Sequence, residues 1–321
     1  MKEKLLARVL GATGLRGLLS RLARWSGVLG LNYHRIGEAG RSVYDRALWS
    51  ATADGFDAQV GWLKSRADVI RPDDLPAALA ARTGRYVLIT FDDGYRDNYT
   101  AALPVLRRHG VPATFFIAAG FIDAPHVPWW DEIAWMVRTS RKAGVELPAW
   151  LPAPVPFDEP DRQRAVITLL RGYRALPAAS TDAYLRAVGE AAGTGRHPSG
   201  AEGLWMSWDM IREMRAAGMA VGGHTVNHPV LARMSREAQR HEVAGCGRRL
   251  EAELGEPMRS FSYPVGGPDA FNEDTRACLR EAGVRYGFSY YGGFRTFDDW
   301  DDLDVRRVPV ESDTTLDCFK R

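Results

Sequence analysis

Tyr86-Val87-Leu88-Ile89-Thr90-Phe91-Asp92-Asp93-Gly94 decides how this chain is organised, because two adjacent carboxylates follow an apolar run at a turn. Its first four residues are aromatic, β-branched or aliphatic, which is typical of a buried strand. Gly94 permits a tight turn, and residues 98–109 then have the pattern of a helix closed by a glycine. This arrangement leaves Asp92 and Asp93 at the carboxyl end of the strand, where α/β proteins place their sites. The competing interpretation is a surface turn in which one Asp caps the next helix.

Two histidines follow another predicted strand, at residues 219–223. They belong to His224-Thr225-Val226-Asn227-His228-Pro229, and Pro229 disfavours helical backbone angles at His228. The pair is therefore predicted on a loop after the strand, facing the same rim as Asp93. Two imidazoles and one carboxylate that converge there would form a metal site. Two solvated histidines are the alternative.

Strands and helices alternate along most of the chain. The predicted strands are residues 28–33, 69–70, 86–89, 113–118, 219–223, 259–264, 286–290 and 305–309. Alternation of this kind implies an α/β fold with a mainly parallel sheet, and the number of repeats suits a closed or nearly closed barrel.

The alternation stops between about residues 123 and 203, where the chain becomes rich in Pro, Ala and Trp. Helices are predicted in this segment at residues 131–142, 161–175 and 181–192. Because the alternation resumes afterwards with the same character, we interpret the segment as an insertion on one barrel. Its tryptophans could stack on sugar rings, but Trp130, Ile133 and Val137 have the spacing of a buried helix face, which favours the core.

Composition sets broad limits on the class of protein. The 321 residues are 45% hydrophobic and 26% charged, as in an ordinary globular chain. The 42 basic and 40 acidic residues give a net charge of +2, so no overall field favours nucleic acid. Cys246, Cys278 and Cys318 are an odd number without a pairing motif, so we expect no disulfides and a reducing compartment.

Residues 1–25 are predicted to form a basic amphipathic helix, with Leu and Trp25 at near-helical spacing and Lys and Arg between them. Such a helix could lie on an anionic membrane surface, or pack on the barrel or on a partner. Arg8, Gly11 and Arg16 interrupt the apolar stretch, so no secretory signal is predicted. We therefore expect a cytoplasmic protein, with peripheral contact at the inner membrane face through residues 2–25 as an option.

Three motifs, taken in order, resemble the signatures of the polysaccharide deacetylase family, the carbohydrate esterases with a NodB-homology domain. They are Thr-Phe-Asp-Asp-Gly at 90–94, His-Thr-x-x-His-Pro at 224–229 and Arg-x-Phe-x-Tyr-Pro at 259–264. The resemblance covers about residues 26–310 and leaves 311–321 as a C-terminal tail. It implies a distorted, mainly parallel (β/α) barrel with fewer units than the eightfold form, and amide hydrolysis of an N-acetylated sugar.

The resemblance also implies a divalent metal, usually zinc, bound by Asp93, His224 and His228, with Asp92 as the general base. The chemistry of these residue types agrees with those roles. Zinc with three protein ligands keeps a position open and lowers the pKa of water to about 7. Successive residues of an extended segment point apart, so Asp92 would not reach the metal in the same way as Asp93.

Further roles are implied by position: Arg259 would orient Asp92, and the backbone N–H of Tyr263 would help to stabilise the oxyanion. The departing amine also needs a proton. The family's common pattern supplies it from a late His, yet His241 is the last histidine here and lies in a predicted helix. His34 follows the first strand, and the Tyr-His pair there looks like the exopolysaccharide branch of the family. We hypothesise that His34 is the acid.

Two alternatives to a deacetylase stay open at this stage. Two His and one carboxylate also describe non-haem iron enzymes, although that chemistry leaves Asp92 without a role. A non-catalytic carbohydrate-binding protein on the same scaffold is the other, since a fold does not fix function. The sequence does not identify the sugar, the chain length, or whether the acyl group is acetyl or formyl.

Overall fold

The computed structural model describes residues 26–158, 160, 162–198, 200–201 and 203–314. The predicted N-terminal helix (1–25) and residues 315–321 of the tail lie outside the described residues. No helix in the described part of the chain combines the length and apolar character needed to cross a bilayer.

The strands, numbered in chain order, form one large parallel sheet and two short pairs. The large sheet contains β1 (Gly27–Tyr33), β4 (Asp68–Val69), β5 (Arg85–Phe91), β6 (Thr114–Ile117), β9 (Ala220–Gly223), β10 (Ser260–Ser262), β11 (Tyr286–Phe288) and β12 (Arg307–Pro309). The short pairs are β2 (Arg35–Ile36) with β3 (Trp49–Ala51), and β7 (Gly144–Val145) with β8 (Val155–Pro156).

The large sheet curls into a nearly closed barrel. Its strand order is β11-β10-β9-β6-β5-β1-β12, with β4 beside β5. Phe288 at the end of β11 forms a parallel bridge to Val305, two residues before β12. This bridge connects β11 to the segment that leads into β12, and β12 pairs with β1, so the sheet nearly closes on itself. The predicted fold class, a distorted and mainly parallel barrel, is confirmed.

Helices connect the strands, as the alternation predicted. They are α1 (Ala53–Lys64), α2 (Leu75–Ala81), α3 (Leu103–His109), α4 (Ala119–Asp123), α5 (Trp129–Thr139), α6 (Gln163–Ala175), α7 (Thr181–Ala192), α8 (Trp208–Ala216), α9 (Arg236–Leu254) and α10 (Glu273–Glu281). The helix predicted over 98–109 begins with a wider turn, Asn98–Ala102, before α3.

The segment between β6 and β9 carries the three helices that were predicted there, α5, α6 and α7, which pack against one another. Trp130 is only 4% exposed, and Ile133 and Val137 are fully buried. The predicted packing of this helix face in the core is therefore confirmed.

Aromatic side chains fix the ends of two central strands. Tyr33 ends β1 and Phe91 ends β5, and their rings stack with a centroid separation of 5.3 Å. Phe91 also stacks on Phe115 at 4.8 Å. All three side chains are buried, and each contributes roughly 1.5–3 kcal/mol through burial. This packing holds the strand ends that His34 and Asp92 directly follow.

Candidate active site

The predicted site residues come together at one rim of the barrel because parallel strands end on the same side. His34 follows β1, Asp92 and Asp93 follow β5, and His224 follows β9. These side chains line one cleft of about 230 Å³. Ligand pockets are usually about 300–1,000 Å³, so the cleft would enclose the reacting end of a large substrate rather than all of it.

Asp93, His224 and His228 form a compact, buried group of metal-ligating atoms. The Nε2 atoms of both imidazoles lie 3.4 Å from Asp93 Oδ1, and the ring centroids are 4.6 Å apart. His224 Nδ1–H donates to the carbonyl of Ser262 at 2.7 Å, which leaves the Nε2 lone pair directed at the group. One ligand atom from each residue lies within 4.8 Å of the others.

These residues fit a divalent cation. Asp93 Oδ1 is buried and receives no hydrogen bond of normal geometry from any described residue. A buried carboxylate oxygen without a partner is costly, and a cation between it and the two imidazoles would satisfy it. Burial, together with the neighbouring His224, lowers the pKa of His228 to about 3. His228 is therefore neutral near pH 7, as a metal ligand must be.

The backbone around this group adopts conformations that ordinary residues avoid. Asp93, Thr225 and His228 have φ values of 76°, 68° and 55°. Non-glycine residues in this region cost about 1–3 kcal/mol each and cluster at functional sites. Local hydrogen bonds hold the loop from Thr225 to His228. Thr225 Oγ1 accepts the His228 N–H, and the Glu242 carboxylate accepts the backbone N–H groups of the two residues between Thr225 and His228.

Asp92, the second carboxylate, is held by a buried arginine that the sequence analysis did not identify. Arg307 of β12 is fully buried and donates to both oxygens of Asp92, at 2.8 and 2.9 Å. Asn32 Nδ2 and the Ser262 hydroxyl donate to Asp92 Oδ2. Burial opposes ionisation of Asp92, but the Arg307 guanidinium and His224 outweigh it, so the pKa of Asp92 falls well below its usual value.

The expectation that Arg259 orients Asp92 is wrong. Arg259 is exposed and precedes β10, and its Nη1 donates to the carbonyl of Gly283 at 3.4 Å. Because β5 and β10 run in the same direction, the start of β10 lies at the rim opposite to the end of β5. Arg307 provides the contact instead.

The expectation for the backbone N–H of Tyr263 is also wrong. That N–H donates to the carbonyl of Phe288 at 3.0 Å and so extends the ladder between β10 and β11. Tyr263 does line the cleft, and its hydroxyl donates to the carbonyl of Leu303. Val265, two residues later, lines the same cleft with a φ of 64°, and its N–H donates to none of the described residues.

His34 lines the cleft and is half-buried. Its backbone is fixed at both ends, since its N–H donates to Ser50 Oγ and its carbonyl accepts from Asn98 Nδ2. The ring packs edge-on against Tyr290 with a centroid separation of 5.7 Å. His34 therefore shares the cleft with Asp92 and Asp93.

The insertion forms one wall of the cleft. Trp130 packs edge-on against the His228 ring at 4.4 Å, and the Trp129 indole N–H donates to the His228 carbonyl. Both tryptophans, although buried, line the cleft, as does Arg174 of α6. The sequence places these residues far from His228, and no local pattern indicates the contact.

Comparisons with known proteins indicate the family of this chain. YxkH of Bacillus subtilis strain 168, whose name assigns it to the polysaccharide deacetylases, is 21% identical over 247 residues, which is 76% of this chain. The chain spans 60% of the length of that relative.

Two solved structures share the fold. The Streptococcus pyogenes deacetylase PplD, in complex with acetate, is 17% identical with a TM-score of 0.61, over 92% of this chain and 96% of that one. IcaB from Ammonifex degensii is 23% identical with a TM-score of 0.57, over 90% and 94%.

A family model described as polysaccharide deacetylase matches residues 80–148 and 171–287, more than half of the chain. The matched residues include both carboxylates at the end of β5 and the two histidines after β9. This chain therefore belongs to the polysaccharide deacetylase family.

Proposed function

We propose that this protein is a metal-dependent hydrolase that removes an N-acetyl or other N-acyl group from an amino sugar in a polysaccharide, an oligosaccharide or a lipid-linked glycan. One observation carries the proposal: a buried group of two His and one carboxylate shares a cleft with a second carboxylate that a buried arginine keeps ionised. Amide hydrolysis needs an activated water and a proton acceptor, and this pairing supports both needs.

Asp93, His224 and His228 are the proposed metal ligands, and their N and O donors suit zinc. A bound divalent ion would supply a Lewis acid that polarises the acyl carbonyl and acidifies water. The hydrogen bond from His224 Nδ1–H to Ser262 fixes the tautomer that directs Nε2 at the group. Packing against Trp130 holds the His228 ring.

Asp92 is the proposed general base, and Oδ1 is the atom that would take the proton. Oδ2 accepts hydrogen bonds from Asn32, Ser262 and Arg307, whereas Oδ1 accepts only from Arg307 among the described residues. A carboxylate oxygen has two lone pairs, so Oδ1 keeps one for a water proton. Arg307 fixes the carboxylate plane and keeps it ionised, at the cost of lower basicity.

His34 is the proposed acid that protonates the departing amine nitrogen. It lines the cleft, and its fixed backbone gives the ring a defined position. A protonated imidazole can donate a proton to the departing amine, which suits the role of general acid.

Val265 is the proposed backbone donor for the oxyanion. It replaces Tyr263 in this role because the Tyr263 N–H is already bonded to Phe288, while the Val265 N–H has no described acceptor. An N–H fixed in the cleft wall needs no reorganisation when negative charge develops on the acyl oxygen.

The test is a product balance with N-acetylglucosamine oligomers of one to six units. The protein should release free amine and acetate in equal amounts, lose this activity after dialysis against a chelator, and regain it with Zn²⁺. Release of formate from N-formylated oligomers, without release of acetate from the N-acetylated ones, would identify the acyl group as formyl. No amine release from any oligomer after zinc loading would argue against the proposal.

We also propose a cytoplasmic location, with peripheral contact at the inner membrane face through residues 2–25. The alternation of apolar and basic residues in that stretch supports contact with anionic lipid. Deletion of residues 2–25 should abolish sedimentation with anionic liposomes; unchanged sedimentation would remove this proposal.

A further inference from the structure

Arg174 is a cleft-lining residue to which the proposed mechanism gives no role. It lies in the last turn of α6 and is the single Arg or Lys among the described residues that line the cleft. Its guanidinium carbon is 5.6 Å from the centroid of a Trp129 ring. Trp129 in turn stacks on Tyr173, with centroids 4.2 Å apart and planes within 9°. The guanidinium therefore has a rigid aromatic support.

The guanidinium of Arg174 has no ion-pair partner among the described residues, although it can be reached through the cleft mouth. Asp45, the nearest acidic neighbour in the cleft wall, is already engaged by the Ala47 N–H and the Gln163 side chain. Arg174 is exposed at the cleft mouth, so its guanidinium donors are open to a ligand.

We propose that Arg174 is a specificity-determining residue that binds an anionic oxygen group of the sugar substrate, either a carboxylate or a phosphate. This inference rests on the proposed deacetylase function and adds the chemical class of the substrate. A guanidinium presents parallel N–H donors that match both groups, and such charge-assisted pairs are stronger than neutral hydrogen bonds.

The other charges of the cleft mouth restrict where the anion can lie. Glu311 lines the cleft as well and would repel an anionic group placed beside it. Asp45 lines the cleft too and would repel an anionic group on its own side. The anionic group is thus placed next to Arg174, with the acyl group of the substrate at the metal-ligating residues.

The experiment compares substrates matched in length. In the first pair, N-acetylated chitotetraose is the neutral probe and a hyaluronan tetrasaccharide is the carboxylate probe. In the second pair, N-acetylglucosamine is the neutral probe and N-acetylglucosamine 1-phosphate is the phosphate probe. Arg174→Gln should lower kcat/KM for the carboxylate probe, the phosphate probe or both by about 10- to 100-fold, the range of a hydrogen bond to a charged group. The neutral probes should change less than about twofold.

Two control variants separate charge from folding. Arg174→Lys should recover part of the preference, because the charge remains and the planar fork is lost. Arg171→Gln removes an exposed arginine one turn earlier on the same helix, outside the cleft lining, and should change every rate by less than about twofold. Equal losses for neutral and anionic probes with Arg174→Gln, or no loss with either, would overturn the proposal.

Binding affinities measured by calorimetry test the anion site independently of the proposed deacetylase activity. In an Asp92→Asn background, the anionic tetrasaccharide should bind more tightly than chitotetraose, and Arg174→Gln should remove the difference. If the wild-type protein deacetylates none of the probes but shows this binding preference, the proposed activity fails and the anion site stands. If it deacetylates chitotetraose and shows no preference, the anion site fails and the activity stands.

Discussion

Replacement of Arg307 by Met should disable Asp92 while leaving the metal-ligating residues in place. The wild-type guanidinium makes five hydrogen bonds: two to the Asp92 carboxylate, and one each to the Thr90 hydroxyl, the Ser262 hydroxyl and the Ser289 carbonyl. Arg307 is fully buried, so water cannot take over these bonds. The variant would leave a buried carboxylate with only its two neutral donors.

Removal of one partner from a buried ion pair costs about 3–5 kcal/mol, because the other charge stays buried without compensation. We expect the free energy of unfolding to fall by that amount in Arg307→Met. Arg307→Lys should fall less, since the charge remains and the bidentate geometry is lost. The double variant Asp92→Asn with Arg307→Met should be more stable than the single variant, because no unpaired charge is left.

Activity should change in a related way. Arg307 outweighs the effect of burial on Asp92, so its loss should raise the pKa of Asp92. The acid limb of the kcat/KM profile should then move to higher pH, since Asp92 must be ionised to accept a proton.

Urea denaturation at pH 7, circular dichroism and the pH profile check these expectations, with Arg259→Met as the matched control. Arg259 is exposed and distant from Asp92, so its replacement should change stability by less than about 0.5 kcal/mol and leave the profile unmoved. A loss below about 1 kcal/mol in Arg307→Met, or an equal effect of Arg259→Met, would contradict the assigned role.

Three other changes give separate tests. His228→Ala removes a proposed ligand, so zinc affinity should fall by more than the roughly 10–100-fold that is lost with a hydrogen-bond partner of a ligand. Chelator competition measures this affinity, and an unchanged value would place the metal elsewhere. His34→Gln should keep the metal and lose about 10²–10⁴-fold in kcat, whereas near-full turnover would remove the acid assignment. Burial raises the pKa of Asp131 to about 7, so the folded protein holds a proton that the unfolded chain releases near about pH 4. The stability of the wild type relative to Asp131→Asn should therefore drop by about 2–3 kcal/mol between pH 5 and 7.5 in urea titrations; a constant difference would contradict the raised pKa.

The sequence was sufficient to predict the barrel and the grouping of Asp93 with His224 and His228. Each of these residues follows a strand of regular apolar character, and parallel strands bring their carboxyl ends to one rim. The inference needs only the strand positions and not the packing between them. The same logic placed His34 and Asp92 in the cleft.

Arg307 could not be identified in this way, because its role depends on which strand lies beside β1. The β12 pairing places Arg307 opposite Gly30, and its guanidinium reaches from there to the end of β5. Alternation along the strand directs either Arg306 or Arg307 inward, and the sequence does not choose. An arginine within an apolar strand was nevertheless the available indication.

The Tyr263 assignment failed for a related reason. A backbone N–H just after a strand is free only if the neighbouring strand offers no carbonyl beside it. Here β11 extends to Phe288, whose carbonyl accepts the Tyr263 N–H. The contact of Trp130 with His228 likewise follows from the way α5 packs, across a long stretch of chain. Such contacts are set by tertiary packing and leave no local pattern.

Metal content and amine release, measured together on the wild type and on Asp92→Asn, test the proposed chemistry most directly. Both proteins should bind about one divalent ion per chain, since Asp92 is not among the proposed ligands. Only the wild type should release amine from N-acetylglucosamine oligomers, because only it keeps the carboxylate that accepts the proton. Equal amine release from the two proteins, or an Asp92→Asn protein that no longer binds the ion, would contradict the division of roles between Asp92 and Asp93.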